Sequence, residues 1–497
     1  MDSGIISARA RGFAIIAGAL LLSACVSSSD QRISRNDYLA IETALSRDIS
    51  TLASEEFAGR RPGTLGEAYT LKFIEDSLKS AGYVSGTNDP ANPWRAPVEL
   101  VSTTPSSYRV ELQVGRRRYL VPAAESAGFT TRKRSLVEKA PMVFVGRLAE
   151  EVAGEDVLGR VAIILSDPGK SPARRDILFE KGAVAIITVV DTEDDIWDVS
   201  AAYSSEKLIL PSEENGALSA FVTASAMSGA LGKNRWEGLL ASEQGSDFSP
   251  SELPALATVE ANSIRREVRS NNLIGLLPGK QPGSGAILLL AHWDHFGECG
   301  QEGDKDRLCN GAVDNASGVA VMLELARRLA KNGPFDRDIY VLGTTAEESG
   351  LLGVKAFVDQ PPIPLESIIA AFNFDTVAVA PRGTNVGFVG EGQTVLDAPV
   401  MEAIEKSGRL IGNRSLADLF LQRQDGWILL QKGVPAVAIT SAMGDDQVLN
   451  RFLDLRYHKA NDEPEVVELG GAIEDLLLHE RLINRLANVR TYSAPAN

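Results

Sequence analysis

Two of the four histidines in this 497-residue chain lie together in the stretch "LLLAHWDHFG", residues 288–297. The apolar run ends at His292, and Asp294 follows two residues later. An imidazole can bind a metal ion through one ring nitrogen while the other donates to an acceptor, which fixes the tautomer and orientation of the ring. The spacing therefore predicts that His292 is a metal ligand and that the Asp294 carboxylate orients it.

Five further residues of ligand type follow apolar segments or precede a helix: Asp314 in "GAVDNASG", Glu347 and Glu348 after "YVLGTTA", Asp375 in "AAFNFDT" and His458 in "RYHKANDEPE". Each has an ordinary alternative when taken alone, such as a helix cap at Asp314 or a solvated loop at the Glu-Glu pair. As a set they match a hydrolytic zinc site, which needs nitrogen and oxygen ligands and positions open to water and substrate. Two such ions, about 3.5–4 Å apart, share a bridging carboxylate.

The set divides into ligands for two ions and one base. The predicted ligands are Asp314 as the bridge, His292 with Asp375 on one ion, and Glu348 with His458 on the other. Glu347 stands beside a ligand and is free to act as the general base, which takes a proton from metal-activated water and passes it to the leaving amine. We expect zinc in both positions, with cobalt or manganese as alternatives.

The elements that would position these residues alternate between strands and helices from residue 271 onward. Apolar runs predict strands at 286–291, 338–346, 368–377 and 434–442, and an amphipathic pattern predicts a helix at 318–330. Buried strands that alternate with helices imply a layered α/β domain with a mostly parallel central sheet. Such sheets bind ligands beyond the carboxyl ends of their strands, which is where the predicted metal ligands lie.

The first half of the chain changes character near residue 97. Two amphipathic helices, predicted at 36–53 and 66–81, come before it. From 97 to 262 short β-rich runs alternate with glycine, proline and charges, with one helix predicted at 173–181 and neither His nor Cys. We expect a catalytic domain of 36–96 and 263–497 with an inserted β-rich domain, 97–262, for which a binding or lid role and a passive spacer both remain open.

The first 24 residues have the composition of an export signal. Two arginines precede an apolar stretch at 12–22, which is shorter than the about 20 residues that span a bilayer. The order Leu22-Ser-Ala-Cys25 resembles the bacterial lipoprotein signal, which implies lipidation of Cys25 and a membrane anchor; an ordinary secretory signal is the alternative. Val26 after the Cys resembles outer-membrane sorting, with the protein facing the periplasm or cell surface beyond a polar tether at 25–35.

The numbers of cysteines and of charged residues indicate the kind of compartment and the class of partner that the protein has. Of the three cysteines, Cys299 and Cys309 lie ten apart in one polar loop and could close a disulfide in an oxidising compartment. A thiolate metal site is the alternative, although the pair lacks the close C-x-x-C spacing of structural zinc sites. The net charge of −16 argues against a nucleic-acid partner, which usually binds a basic patch.

The motifs together closely resemble the co-catalytic zinc peptidases, which include bacterial secreted aminopeptidases and glutamate carboxypeptidase. The resemblance rests on His292-x-Asp294, "GAVDNASG" at 311–318, "TAEESGLLG" at 345–353, Asn373-x-Asp375 and Tyr457-His458, which follow in order over roughly 264–470, and on "EEFAGRRPGTLGE" near the start. It implies the same ligands and base, a three-layer phosphorylase/hydrolase-like fold, and a protease-associated domain at 97–262.

Some positions depart from the family pattern or stay outside it. Lys459 follows the last His where relatives often have a small hydroxyl residue, and Gln424-Asp425 stands where Ser-Asp is common, so specificity stays open. We interpret His295 as a wall of the pocket or a support behind the ligands, with a role as a metal ligand as the alternative. His479 is predicted on a polar, exposed helix face.

The predicted function is a zinc-dependent exopeptidase, an aminopeptidase that hydrolyses N-terminal residues of peptides. A carboxypeptidase or dipeptidase on the same site is an alternative. The complete ligand set disfavours a glutaminyl cyclase, which resembles this fold with one metal, and a receptor-like scaffold such as the transferrin receptor. A serine hydrolase is disfavoured because the sequence has no G-x-S-x-G motif.

Overall fold

The computed structural model describes residues 33–167, 170–204, 206–300 and 303–494. The predicted signal, Cys25 and all but the end of the tether lie outside these ranges. Within them, none of the helices combines the length and the apolar character needed to cross a membrane. The first helix begins at Arg35, and the Ser34 side chain caps it by accepting from the backbone N–H of Asp37.

Besides short helical turns of other types, the described ranges contain fourteen α-helices and seventeen strands. The helices are α1 (Arg35–Leu52), α2 (Leu65–Ser80), α3 (Gly154–Val157), α4 (Ser171–Glu180), α5 (Glu193–Ser204), α6 (Ala224–Leu231), α7 (Lys233–Glu243), α8 (Gly318–Asn332), α9 (Leu352–Asp359), α10 (Asp397–Lys406), α11 (Arg414–Phe420), α12 (Gly426–Gln431), α13 (Asp446–Leu455) and α14 (Leu469–Leu486). The strands are β1 (Val84–Ser85), β2 (Arg95–Val114), β3 (Arg117–Leu120), β4 (Ser126–Thr130), β5 (Arg134–Gly146), β6 (Val161–Leu165), β7 (Ala185–Val190), β8 (Lys207–Ile209), β9 (Leu218–Thr223), β10 (Ser251–Leu277), β11 (Ala286–His292), β12 (Gly297–Glu298), β13 (Leu308–Cys309), β14 (Asp338–Thr344), β15 (Ile368–Asn373), β16 (Gly387–Val389) and β17 (Ala436–Thr440).

The centre of the second half is a parallel set of four strands. Their order is β17-β15-β11-β14, and each neighbouring pair is parallel. His292 pairs in register with Thr344, and Leu290 with Asn373, so β11, β14 and β15 all end at one edge of the sheet. The prediction of a mostly parallel central sheet is confirmed for this half, and the loops that carry the predicted ligands start from this edge.

Helices cover both faces of this sheet. Because side chains alternate along each strand, every strand packs against both layers of helices. Ile287 and Leu289 of β11 belong to a buried cluster with residues of α1, α2, α8 and α14. Leu288 and Leu290 belong to a second cluster, with residues of α9 and α12. Burial of each such leucine stabilises the fold by roughly 1.5–3 kcal/mol. The result is the expected arrangement of three layers.

The segment from 97 to 262 has hydrophobic clusters of its own, the largest built from β2, β5, β6, β7, β9 and β10 with α6 and α7. Its strands β5, β6, β7 and β9 are parallel neighbours. The segment contains α3, α5, α6 and α7 besides the one predicted helix, so the description "β-rich" understated its helical content. The helix α6 is short and rich in small residues, and α7, which Gly232 at φ +91° separates from it, fully buries only Trp236, so neither helix shows a long apolar stripe.

The two halves share one continuous sheet. The 27-residue strand β10 pairs with β2 and β5 in the first half and with β14 in the second. The predicted boundaries at 97 and 262 therefore fall within paired strands, and a register shift between Asn262 and Ser263 marks the second of them.

The prediction that His479 is exposed was wrong. His479 lies on α14 with only 1% of its surface accessible, and its ring packs against Phe372 and Phe374. Its Nδ1 lies 2.8 Å from the carbonyl oxygen of Asp475. The face looks polar in sequence because its charged members have partners on other elements, such as Arg409 for Asp475.

Candidate metal centre

Each predicted ligand comes from a different connection at the carboxyl edge of the parallel strands. His292 is the last residue of β11, Glu348 is in the loop after β14, and Asp375 is two residues beyond β15. Asp314 lies in the turn Ala312–Ser317, which leads into α8, and His458 lies between α13 and α14. The structure brings all five side chains together.

Asp314 stands between the two histidines. Its Oδ1 is 3.4 Å from Nε2 of His292, and its Oδ2 is 3.4 Å from Nε2 of His458. One carboxylate thus presents one oxygen to each imidazole, which is the arrangement of a bridging ligand. Burial raises the pKa of Asp314, but the neighbouring imidazoles of His292 and His458 lower it by more, so the net pKa lies below the ordinary value.

Each histidine has a second carboxylate close by. Nε2 of His292 is 3.4 Å from Oδ1 of Asp375, and Nε2 of His458 is 3.1 Å from Oε2 of Glu348. The other oxygen of Glu348 is 2.6 Å from Nδ1 of His295, which is itself buried. His295 therefore lies behind Glu348 and holds it, in agreement with its interpretation as a support of the ligands.

The donor atoms fit a divalent metal. Two sets of ligand atoms lie within 4.8 Å of one another, one from His292, Glu347 and Asp375 and one from His292, Asp314 and Glu348. Within the described part of the chain, Nε2 of His458 is buried yet makes no hydrogen bond of acceptable geometry. Imidazole nitrogens and carboxylate oxygens in such numbers are the ligands that zinc prefers in hydrolytic sites.

Glu347 lies at the edge of this cluster, with Oε2 3.9 Å from Nε2 of His292. Burial raises the pKa of Glu347 well above its ordinary value; His292 lowers it, whereas Asp375 and Asp425 raise it further. A raised pKa makes a carboxylate a stronger proton acceptor, as a general base requires.

Asp294 contacts the site differently from the prediction. Nδ1 of His292 lies 3.2 Å from the backbone carbonyl oxygen of Asp294, whereas the nearest carboxylate oxygen is 3.9 Å away. That carboxylate oxygen instead accepts from the backbone N–H of Glu347 at 3.1 Å. The main chain of Asp294 thus orients the imidazole, and its side chain fixes the loop that carries the predicted base. Burial raises the pKa of Asp294 to about 7.

Asn315, for which the sequence predicts no role, joins three of the ligand-bearing segments. Its side-chain nitrogen donates to the carbonyl oxygens of Phe374 at 2.9 Å and His292 at 3.3 Å. Its side-chain oxygen accepts from the backbone N–H groups of Gly318 and Thr376 at 3.0 and 3.2 Å. A single amide, with donors and an acceptor, can satisfy all four groups. Its place inside the "GAVDNASG" motif was the only available signal.

A second residue without a predicted role is Asp462, four residues after His458. It is buried, and its carboxylate accepts from the backbone N–H groups of Val313 and Asp314. Burial raises the pKa of Asp462 to about 6, although these two backbone donors lower it. The carboxylate links the loop of one predicted ligand to the turn that carries the bridging one.

The positions that depart from the family pattern lie in different surroundings. Asp425 is buried and accepts from the Thr344 hydroxyl at the end of β14, and burial raises its pKa to about 6. Lys459 is exposed, and its amine donates to the Asp454 carbonyl. Of the two, only Asp425 belongs to the interior of the site.

A disulfide hairpin packs against the His458 loop. Cys299 and Cys309 are joined, and the short strands β12 and β13 pair beside them. Sγ of Cys299 lies 3.4 Å from the carbonyl oxygen of His458. The ring centroid of Phe296 is 4.6 Å from that of His458, and the Tyr457 ring stacks on the imidazole at 3.6 Å. The hairpin and the two rings thus restrict the movement of this imidazole.

A cavity of about 590 Å³ opens beside Glu348, between the two halves of the chain. The first half contributes the segment 206–209, and the second contributes Phe296 and Ser349. Glu206 enters this wall and accepts from both Arg61 and Ser102. The segment from 97 to 262 therefore forms part of the surroundings of the metal cluster.

Residues 272–475 match peptidase family M28. The chain is 44% identical to aminopeptidase YwaD of Bacillus subtilis (strain 168) over 126 residues, which are 25% of each protein. It is 37% identical to the alkaline phosphatase isozyme conversion protein of Escherichia coli (strain K12) over 93 residues, 18% of this chain and 26% of that protein. The matches span about a quarter of these relatives, and they confirm the resemblance to zinc peptidases that the motifs indicate.

The fold is also similar to a solved structure, the aminopeptidase from Aneurinibacillus sp. strain AM-1. The TM-score is 0.56 at 20% sequence identity, and the superposition covers 92% of this chain and 95% of that one. The likeness of fold therefore extends over both halves, including the segment from 97 to 262.

Proposed function

We propose, from the match of residues 272–475 to peptidase family M28, that the protein is a zinc-dependent aminopeptidase that removes N-terminal residues from peptides. The observation that carries the proposal is the position of Asp314, with one oxygen 3.4 Å from each of His292 and His458. His292 with Asp375 and His458 with Glu348 would complete two metal positions on either side of it.

Two bound zinc ions would polarise the scissile carbonyl and lower the pKa of water, as in other two-metal hydrolases. The chain's own part is to hold the five ligands and to move the proton. Glu347 would accept a proton from the attacking water and deliver it to the leaving amine, a role that its raised pKa supports. Asp294 would keep Glu347 in place through the backbone N–H that it accepts.

The charge of the site supports an aminopeptidase over a carboxypeptidase. The carboxylate of Asp425 is buried in the site, and its Oδ1 makes no hydrogen bond within the described residues, so it can accept from a free α-ammonium group and would repel a free α-carboxylate. The cations close by are engaged, since Arg61 pairs with Glu206 and Arg60 binds backbone carbonyls. Two of the similar proteins, YwaD and the Aneurinibacillus protein, are named aminopeptidases.

The test compares peptides with a free amine and their N-blocked counterparts with a free carboxylate. Amino-acid release would be followed before chelation, after chelation, and after zinc is added back. We expect zinc-restorable cleavage of the free-amine set alone. Cleavage of the blocked set alone would indicate a carboxypeptidase, and the absence of cleavage of either set would contradict the proposal.

We further propose that residues 97–262 form an inserted domain of the protease-associated type, which shapes the entrance to the active site. Its support is the separate hydrophobic cluster and the contribution of segment 206–209 to the cavity beside Glu348. Replacing Leu208 by Ala should change the ranking of peptide substrates while zinc stoichiometry stays constant. An unchanged ranking would argue for a passive spacer.

The segment that ends in Leu22-Ser-Ala-Cys25 supports an exported lipoprotein held at the outer membrane, facing the periplasm or the cell surface. Labelled palmitate should enter the wild-type protein expressed in a two-membrane bacterium and should not enter Cys25→Ala. Equal labelling of both proteins, or of neither, would contradict the anchor.

A further inference from the structure

The side chain of Arg60 is fully buried beside the metal cluster, with 0% of the residue exposed. Its guanidinium donates to four backbone carbonyl oxygens, those of Trp293 at 2.9 Å, Leu52 at 2.8 Å, Asn310 at 2.6 Å and Gly311 at 2.9 Å. Arginine has five N–H donors in a planar fork, so four of them are engaged by the main chain.

Three of the four carbonyls that Arg60 binds lie close in sequence to predicted ligands, and the fourth ends α1. Trp293 directly follows His292, and Gly311 lies three residues before Asp314. Leu52 is the last residue of α1, whose terminal carbonyls lack partners within the helix. The Gly311 carbonyl also accepts from the backbone N–H of Ala316 at 3.1 Å, so the guanidinium adds a second donor there and supplies a donor to the buried carbonyls of Trp293 and Asn310. One side chain therefore ties the two ligand segments to each other and to α1.

An unusual turn aims the side chain inward. Ala58, Gly59 and Arg60 have consecutive φ values of +47°, +59° and +50°, in the left-handed region that L-residues with side chains seldom adopt. A Cβ atom on Gly59 would lie 2.4 Å from the carbonyl oxygen of Cys309, so the turn packs closely on the disulfide hairpin. Such a conformation persists only where its surroundings hold it.

We propose that Arg60 is a positioning residue of the metal centre, which fixes the segments of His292 and Asp314 relative to each other before metal binds. This inference rests on the proposed zinc site, and it assigns a role to a residue that touches neither metal nor substrate. Supports of this kind typically change metal affinity by about 10–100-fold when they are removed.

The positive charge of Arg60 would act in the opposite direction. Burial lowers its pKa to about 10, although Asp314 and Asp462 raise it, so the guanidinium stays charged at neutral pH. A buried cation repels a zinc ion, and charge alone would therefore make zinc bind more tightly once Arg60 is removed. Positioning by hydrogen bonds predicts weaker binding instead, so the sign of the change separates the two roles.

The experiment measures zinc affinity and stoichiometry by competition with a chromophoric chelator, without any peptide substrate. Arg60→Met removes charge and hydrogen bonds, whereas Arg60→Lys keeps the charge and loses the planar fork. The matched control is Arg337→Met. Arg337 is also buried and donates to the carbonyls of Ser284, Leu486 and Tyr492, but it precedes β14 at the opposite edge of the sheet.

We expect both Arg60 variants to bind zinc about 10–100-fold more weakly than the wild type, and Arg337→Met to bind it within twofold although its melting temperature falls. Equal or tighter zinc binding by the Arg60 variants would overturn the inference, as would an equal loss in Arg337→Met. If Arg60→Met does not fold, Arg60→Lys decides alone. A wild-type protein that binds no zinc would instead refute the proposed function.

Discussion

The carboxylate of Asp462 accepts a hydrogen bond from the backbone N–H of Asp314, 3.0 Å away. The same carboxylate accepts from Val313, so two consecutive amides of the turn before α8 point at one buried acid. Asp314, which faces both His292 and His458, therefore has its main chain held by Asp462, a residue of the same loop as His458.

Replacing Asp462 by Ala should destabilise the protein and reduce its activity. The two amides would lose their acceptor, at about 1–3 kcal/mol for each buried group left unsatisfied. Calorimetry would give the change in stability, and kcat/KM should fall at least tenfold because the bridging carboxylate shifts. The control is Asp445→Ala, since Asp445 accepts from two amides of α13 on the exposed surface. An Asp462→Ala enzyme that loses only stability would limit its role to the fold.

Glu347→Gln should keep zinc and lose turnover. The amide has the same shape but cannot accept the proton, and removal of a general base lowers rates by about 10²–10⁴-fold. Metal analysis and single-turnover kinetics would measure the two properties separately. Near-normal turnover, or loss of zinc in proportion to activity, would assign Glu347 a different role.

Zinc binding at neutral pH should release protons. Burial lowers the pKa of His458, but Asp314 and Glu348 raise it by more, and the net pKa is about 9. The metal-free imidazole is therefore charged at pH 7. Zinc binds only the neutral ring, and its affinity should fall about tenfold per pH unit for each proton displaced. Titration calorimetry in two buffers of different ionisation enthalpy counts these protons. A count of zero would contradict the charged state assigned to His458.

Reduction of the disulfide should loosen the His458 loop. Closing a loop of ten residues stabilises a protein by roughly 2–3 kcal/mol. The double variant Cys299→Ser, Cys309→Ser should melt at a lower temperature and bind zinc more weakly, because Cys299 contacts the His458 backbone. A reductant should weaken the wild type and leave the double variant unaffected. An equal response of the two proteins would place the effect of the reductant elsewhere.

His479 should make stability depend on pH below neutrality. Burial lowers its pKa, so the unfolded chain, with a value of about 6.5, binds a proton more readily than the folded one. Its stabilising contribution is therefore present above that value and is lost as the pH falls, by up to about 1.4 kcal/mol per pH unit. The difference in unfolding free energy between wild type and His479→Gln should be constant above pH ~7 and shrink below pH ~6. A difference that stays constant down to acidic pH would contradict this account.

The sequence predicts best those strands of the fold in which every residue is buried. The run at 286–291 became β11, Ala286–His292, because a strand covered on both faces is apolar throughout and stands out in sequence. The ligands followed from it, since parallel strands deliver their ends to one edge. The helices α6 and α7 were missed because α6 is only eight residues long and α7 fully buries a single residue, Trp236, so neither shows a long apolar stripe.

The supports of the site could not be predicted for a different reason. Asn315, Asp462 and Arg60 act on backbone groups rather than on side chains, and their partners lie up to 251 residues away. In the sequence alone, an Asn or Asp in a glycine-rich segment usually indicates a turn. Only the three-dimensional path of the chain shows which carbonyl or amide each one faces. The same holds for the carboxylate of Asp294, which binds an amide 53 residues away instead of its neighbour His292.

The long ladder of β2 and β10 limits how the two halves can be recombined. The chain passes between the two halves twice, once through β2 and once through β10. These two strands pair with each other, as Leu100 does with Val268. A chimaera that takes the first half from a relative must therefore cut both strands at facing residues, so that the hybrid ladder keeps its register. A cut displaced by one residue on one strand would turn every following side chain to the opposite face. When this segment is exchanged, any offset between the cut points on β2 and β10 must therefore be an even number of residues, so that each side chain keeps its face of the sheet.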